Sequence, residues 1–387
     1  MTLTIDIHAL QSLPPSNINR DDTGAPKSAV FGGVPRQRVS SQAWKRAIRQ
    51  DFERSMPAGT IGFRTKHAVD LVARRVLKLA SDDEAWSAPR ASEAAADFFR
   101  AAGIKVAKPR KKGKVDKLLE NTPGVEVATE ETEYLLFVSP RQITRAAESI
   151  LAADGAKPAK KDAEKDAKEI LDTEHSIDIA MFGRMVANDA TYNVDAAVQV
   201  AHAIGVHESE PEFDYFTAVD DVVEDREETG AGMIGTVQMM SSTLYRFATI
   251  DMESLTENLG DATAAAEAAG AFISSFVTAL PTGKQNTFAN NTLPELVYVT
   301  IRDTRSVSLV NAFEEPVRVR DGESRRALAA QRLADESRAV TAAYGFEPTA
   351  SYIVALGDLA TFFEGLGEVV TLKDLISRVT GTLRAGA

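Results

Sequence analysis

The chain has 387 residues, 44% hydrophobic and 26% charged, with a formal net charge of -12 and no cysteine. Such a composition fits an ordinary globular protein with room for two or three domains, and the lack of cysteine excludes disulfides, thiolate metal sites and cysteine nucleophiles together. Asp6 and the missing basic n-region argue against a signal peptide, and the longest nearly apolar run, 268–280, is too short to span a bilayer, so a cytoplasmic protein without a membrane partner is expected.

Leu3, Ile5, Ile7 and Ala9 alternate with Thr2, Thr4, Asp6 and His8, the pattern of a half-buried strand. Residues 12–35 carry the Pro, Asn, Asp and Gly punctuation of a long loop. Ser40 and Ser41 then supply an N-cap. Trp44, Ala47, Ile48 and Phe52 fall on one face of the following helix, and Gln42, Lys45 and Arg49 on the opposite one. From Thr23 to Gln50 there are six basic residues, Lys27, Arg36, Arg38, Lys45, Arg46 and Arg49, and no acid. In an acidic protein a stripe of this kind suits a phosphate backbone, and the unsatisfied N–H groups at the helix start add to it. A solvated helix face is the other reading of the same residues.

Residues 61–172 read as a mostly helical insertion interrupted by low-complexity segments at 105–114 and 156–168. The basic run 105–114 reads as a solvated loop ahead of a second nucleic-acid patch. Strand-like sequence returns at Ser242–Ile250 and Leu296–Arg302, with a helix over Ala262–Leu280 between them and amphipathic helices over Ser324–Tyr344 and Leu372–Val379. Strands and helices alternate at wide spacing, which predicts an α+β sheet domain carrying insertions.

Several motifs fail. Gly230, Gly232 and Gly235 form a literal G-x-G-x-x-G, but the acidic run 224–228 precedes it where a dinucleotide site needs an apolar strand. Gly283-Lys284 lacks the first glycine of a P-loop. His8, His67, His175, His202 and His207 show no metal-ligand spacing and read as structural or exposed, so neither a metal nor a cofactor is expected. Phe213, Tyr215 and Phe216 precede an acidic, Gly-containing stretch, and Met233, Ile234, Val237, Met239 and Met240 follow it, as in a long β-hairpin. Its apolar residues could wedge between bases, pack on a neighbouring subunit, or fill a core.

Four stretches, in this order, resemble one family. They are Asn19-Arg20-Asp21-Asp22; Phe31-Gly32-Gly33 with Arg38-Val39-Ser40-Ser41-Gln42 and Lys45-Arg46; Asp178 to Met185; and Phe216 to Asp221 with Gly235-Thr236, Ser241-Ser242 and Tyr245-Arg246. The pattern resembles the CasC family, the crRNA-binding backbone subunit of the type I-E CRISPR Cascade complex, from residue 1 to at least Phe313.

The resemblance implies a modified RNA-recognition-motif (ferredoxin-like) palm, a helical fingers insertion and a protruding β-hairpin thumb. On this sequence they would occupy 1–60 for the first part of the palm, 61–172 for the fingers, 173–205 for a return to the palm, 206–241 for the thumb, and 242–387 for the rest of the palm and C-terminal helices. It implies copies stacked head to tail along one crRNA, contacts with other Cascade subunits, and pairing of the guide with a target DNA strand. Recognition through the RNA backbone would leave the guide sequence unread. Carried over by residue, Arg20, Lys27, Arg38, Ser40, Gln42, Lys45, Arg46, Arg49 and Arg184 would lie on the RNA. Met185 would wedge at a displaced base, with Tyr215, Phe216, Thr217 and Ile234 on the thumb around it. The subunit would be no enzyme. The alternative is a type III-like backbone subunit that cuts target RNA with Asp21 or Asp22.

Overall fold

The computed structural model describes residues 3–57, 59–81, 83, 85–108, 130–153, 160–186, 189–218 and 233–385. The chain divides into two compact units, Met1–Phe52 with Val198–Glu253 and Ala265–Ala387, and Glu53–Ala197 with Ser254–Ala264.

The first unit is built on strand β1, Thr4–Ser16, which runs antiparallel between the long strand Met233–Asp251 and the strand Leu296–Arg302. Ile7 pairs with Ala248 on one side and Val299 on the other. Beyond Leu296–Arg302 lies Ala350–Ala355. Beyond the long strand lie Ala203–Gly205, then β3 (Val34–Val39) and β2 (Ser28–Phe31). The stretch 12–35 is thus more ordered than its Pro and Gly content predicts: β1 runs to Ser16, and β2 and β3 form a hairpin turned at Gly32 and Gly33.

β1 alternates as the sequence predicts, yet it is buried on both faces rather than on one. Ile5 and Ile7 are fully buried, and so are Asp6 and His8. The polar face is covered because Asp6 and His8 on it find partners, though the Thr4 hydroxyl does not. The Asp6 carboxylate accepts from Ser306 Oγ at 2.7 Å and Val307 N at 2.8 Å, and Arg302 lies 3.5 Å away. Burial still pushes the Asp6 carboxyl up, against these hydrogen bonds and Arg302. His8 Nδ1 meets the Tyr245 hydroxyl at 2.8 Å, and that hydroxyl accepts from Leu309 N at 3.1 Å. Leu10, Tyr245, Tyr298, Phe313, Leu333 and Phe363 continue this core, with the helix Arg325–Tyr344 packed into it. Each such large apolar side chain contributes about 1.5–3 kcal/mol by leaving water.

The second unit packs the helices Ala68–Leu79, Ala88–Ala101, Pro140–Ala152 and Lys160–Asp172 around Val72, Val76, Phe99, Ala147 and Ile170. Ser139 and Gln142 form a reciprocal capping box at the start of Pro140–Ala152. This unit takes in residues up to Ala197, so the stretch 173–197, which the sequence reading gave to the sheet, belongs with the helices. Among the described residues, no helix is long and apolar enough to cross a membrane.

Candidate nucleic-acid interface

Asn17, buried at the end of β1, starts the site. Its Nδ2 donates to Gly24 O at 3.0 Å and to Gln238 O at 2.9 Å, which closes the loop after β1 and ties it to the long strand. Gly283 lies under this loop. A Cβ there would fall 2.3 Å from Ile18 O, so only glycine fits. Asp21 Oδ1 accepts from Thr23 N, Thr23 Oγ1 and Ala25 N at 2.9, 2.7 and 3.0 Å. The Thr23 hydroxyl bond leads in holding its carboxyl below the usual range. Asp21 is therefore committed to its own turn. Asp22 is exposed beside it.

Asn19 joins this loop to the basic stripe. Its carbonyl accepts from Lys27 N at 2.9 Å, and its Oδ1 accepts from Ser40 N at 2.8 Å. Lys27 O in turn accepts from Arg38 N at 2.9 Å. One asparagine thereby gathers the segments that carry Arg20, Lys27 and Arg38 beside the start of helix α1, Ser41–Ser55. Arg20 is exposed, and Lys27 and Arg38 are half-buried. Ser40 is buried and its hydroxyl accepts from Ala43 N at 3.3 Å, so it caps the helix.

Helix α1 buries Trp44, Ala47, Ile48 and Phe52. Gln42 and Arg46 are exposed, while Lys45 and Arg49 are half-buried. Burial lowers the Lys45 pKa, the cost of standing a cation against a protein wall. Arg36 leaves the stripe altogether. It is fully buried, and its guanidinium donates to Gly205 O at 2.9 Å and to Phe313 O and Glu314 O at 3.2 Å each. Arg36 and Arg38 share a face of β3, so the pleat does not separate them; Arg36 is covered by the chain at Phe313 and Glu314, while Arg38 is half-buried beside Ser28 O and His202.

The hairpin pairs Glu212–Ala218 with the first residues of the long strand, Phe216 opposite Gly235 and Thr217 opposite Ile234. Phe213, Tyr215 and Phe216 are 69, 63 and 37% exposed, far more than core aromatics. The Phe216 ring lies across Gly235, where a Cβ would stand 2.4 Å from it. Thr217 is exposed, and the side chain of Ile234 lies outside the described residues. So do residues 109–129, which hold most of the basic run 105–114, and 219–232, which hold most of the G-x-G-x-x-G.

In the second unit, Gly183 ends the helix Ile177–Phe182 at φ 78°, and a Cβ there would meet Val194 O at 2.7 Å. The chain then pairs Arg184 with Val194. Arg184 points inward at 5% exposure, donating to Tyr192 O at 2.7 Å and Leu171 O at 2.8 Å. It holds the segment together and offers no cation to RNA, a correction to its expected role. Met185 points outward at 82% exposure.

Sequence reasoning passed over Asn17 as a loop polar residue, read Asn19 only as part of a motif, and read His202 as structural or exposed. His202 Nδ1 lies 3.0 Å from Arg38 Nη1. The described residues hold no group of acidic and histidine side chains able to bind a metal ion.

A model of the CT1975-like protein family matches residues 5–378. The fold matches a chain of a solved CRISPR RNA-guided surveillance complex, pre-nicking, at a TM-score of 0.72 and 30% identity, covering 97% of this chain and 100% of that one. A chain of another CRISPR RNA-guided surveillance complex matches at a TM-score of 0.58 and 26% identity, covering 97% and 99%. No curated protein matches it.

Proposed function

The chain belongs to the CT1975-like protein family, and from that premise we propose that it is the crRNA-binding backbone subunit of a type I-E surveillance complex, stacking head to tail along the guide. The observation that carries the reading is the cluster that Asn19 organises. Arg20, Lys27 and Arg38 lie on segments tied beside the start of α1, whose polar face holds Gln42, Lys45, Arg46 and Arg49. These cations contact phosphates, and base edges are left unread, as a subunit that must accept any guide requires. The likeness to chains of RNA-guided surveillance complexes supports the same assignment.

The sheet of the first unit serves as the palm and the second unit as the fingers. Met185 of one copy and the thumb residues Tyr215, Phe216, Thr217 and Ile234 of the next hold a displaced base between them. Unstacking a step costs a few kcal/mol, roughly what stacking on an aromatic ring of about 1–3 kcal/mol returns. Displacement is then carried by the phosphate contacts and by contacts between copies. The intervening guide segments pair with target DNA. The subunit performs no cleavage, and Asp21 supports that by its commitment to the turn it closes.

The test is fluorescence anisotropy of labelled single-stranded RNA with the wild type and with Lys45→Ala/Arg49→Ala. The double variant loses most of its RNA affinity while its circular dichroism is retained, because Trp44, Ile48 and Phe52 stay packed. Unaltered affinity in the double variant would overturn the assignment.

A further inference from the structure

We propose that His202 is a phosphate-contacting residue of this interface, neutral in the free chain and protonated when an RNA backbone lies across Lys27 and Arg38, so that RNA binding takes up a proton here. The inference rests on the RNA reading above and adds to it a residue and a pH dependence.

The geometry starts from sheet pairing. Arg38 pairs with Ile204 and Val39 with Ala203, which brings the residue before Ala203 beside β3. Ala201 N donates to Phe247 O at 2.9 Å and pins that residue's other neighbour to the long strand. His202 is held from both sides while its ring stays exposed. Its Nδ1 lies 3.0 Å from Arg38 Nη1. A guanidinium can only donate, so Nδ1 must present its lone pair, and the ring is the neutral Nε2–H tautomer.

The charged groups that act on the ring are Arg38 from β3 and Lys27 from the segment before β2. The long strand meets the neighbouring backbone at Phe247, and no described carboxylate contributes. Desolvation and these two cations together hold the imidazole below its ordinary pKa. A histidine placed among cations, with no described carboxylate acting on it, is electrostatically incomplete until an anion arrives. A phosphate drawing the Arg38 guanidinium to itself frees Nδ1. The same negative charge favours a proton on it, and the ring then donates to the phosphate alongside Arg38. The proton comes from solvent and returns when RNA leaves.

The experiment is anisotropy of a fluorescein-labelled single-stranded RNA with the full chain, at constant ionic strength, from about pH 8 to about pH 6, where histidine titrates. Wild-type affinity should rise as pH falls, by at most about tenfold per pH unit per subunit for one proton taken up. His202→Gln should give a flat profile at the weaker, alkaline-side affinity. His202→Lys, a fixed cation, should give a flat profile at the tighter, acid-side affinity. Circular dichroism of all three should coincide, since the ring is exposed. A His202→Gln profile as steep as the wild type's, or a flat wild-type profile with RNA bound, would overturn the inference and leave the RNA reading standing. A wild type that binds no RNA at any pH would overturn the RNA reading, and this inference with it.

Discussion

The Arg246 guanidinium lies 3.7 Å from the centre of the Trp44 ring and 4.4 Å from that of Phe276, so a cation in the core sits between the helix that carries the basic face and the helix Ala262–Thr278. Its Nη1 donates to Gln11 Oε1 at 2.5 Å and its Nη2 to Phe276 O, with no carboxylate paired to it among the described residues. Burial pulls its pKa down to about 9. The stack fixes α1 from below while Lys45 and Arg49 stand on its other side. Arg246→Ala leaves a void and strands the Phe276 carbonyl, and should cost about 3 kcal/mol in denaturant unfolding. A loss under about 0.5 kcal/mol, the range of a neutral surface change, would show that the stack is idle.

RNA affinity should fall steeply with salt. Removing one phosphate contact on a single strand lowers the log–log slope by about 0.7. Arg20→Ala and Lys27→Ala should each show that decrement across a salt titration, whereas Arg36→Met should not, since its guanidinium is spent on Gly205, Phe313 and Glu314. An Arg36→Met slope reduced as much as that of Arg20→Ala would place Arg36 on the RNA.

Strand and helix periodicity made much of the frame readable in advance. The alternation at Leu3–Ala9, the face of Trp44, Ala47, Ile48 and Phe52, and the strand Leu296–Arg302 all reflect burial along a local period. What periodicity cannot show is which polar residues find partners far away in sequence. Asp6 and His8 read as solvent-facing because Arg302, Ser306 and Tyr245 are some 240 to 300 residues distant. Arg36 and Arg184 read as surface cations for the same reason: their acceptors are backbone carbonyls, which leave no mark in composition. Asn19 organises the basic cluster through its carbonyl and one side-chain oxygen, so only its place in a motif hinted at it. The strand Ala350–Ala355 was missed between two strong helical patterns.

Stability should fall on acidification below about pH 6.5. His8 is buried against the Tyr245 hydroxyl, and burial pushes its pKa down to about 3, so the unfolded chain binds this proton first. His175, pushed down to about 4, acts in the same sense. Each such group removes up to about 1.4 kcal/mol per pH unit as pH drops from its unfolded toward its folded value. Asp6 is raised by burial and opposes this just above its ordinary 3.8, where the folded carboxyl holds more proton than the unfolded one. Thermal melts from neutral pH to about pH 5 should show the loss, and His8→Phe should have a lower melting temperature but a flatter acid slope. A wild-type melting temperature constant over that range would contradict it.

The displaced-base arrangement predicts regular tolerance of mismatches. Met185→Ala should leave the melting temperature nearly unchanged, because the side chain is 82% exposed. Gly235→Val should push the Phe216 ring aside, since a Cβ there would fall 2.4 Å from it. In the assembled complex, single guide–target mismatches should be harmless at evenly spaced positions with the wild type, and that spacing should blur in both variants. Equal sensitivity at every position with the wild type would remove the wedge.

The most direct measurement is to isolate the assembled complex from cells and sequence the RNA that stays with this chain. A backbone subunit that grips phosphates through Arg20, Lys27, Lys45 and Arg49 and stacks along a guide should carry small RNA of uniform length, with constant ends and a variable middle. RNA of scattered lengths sharing a sequence consensus, or a complex free of RNA, would contradict the account.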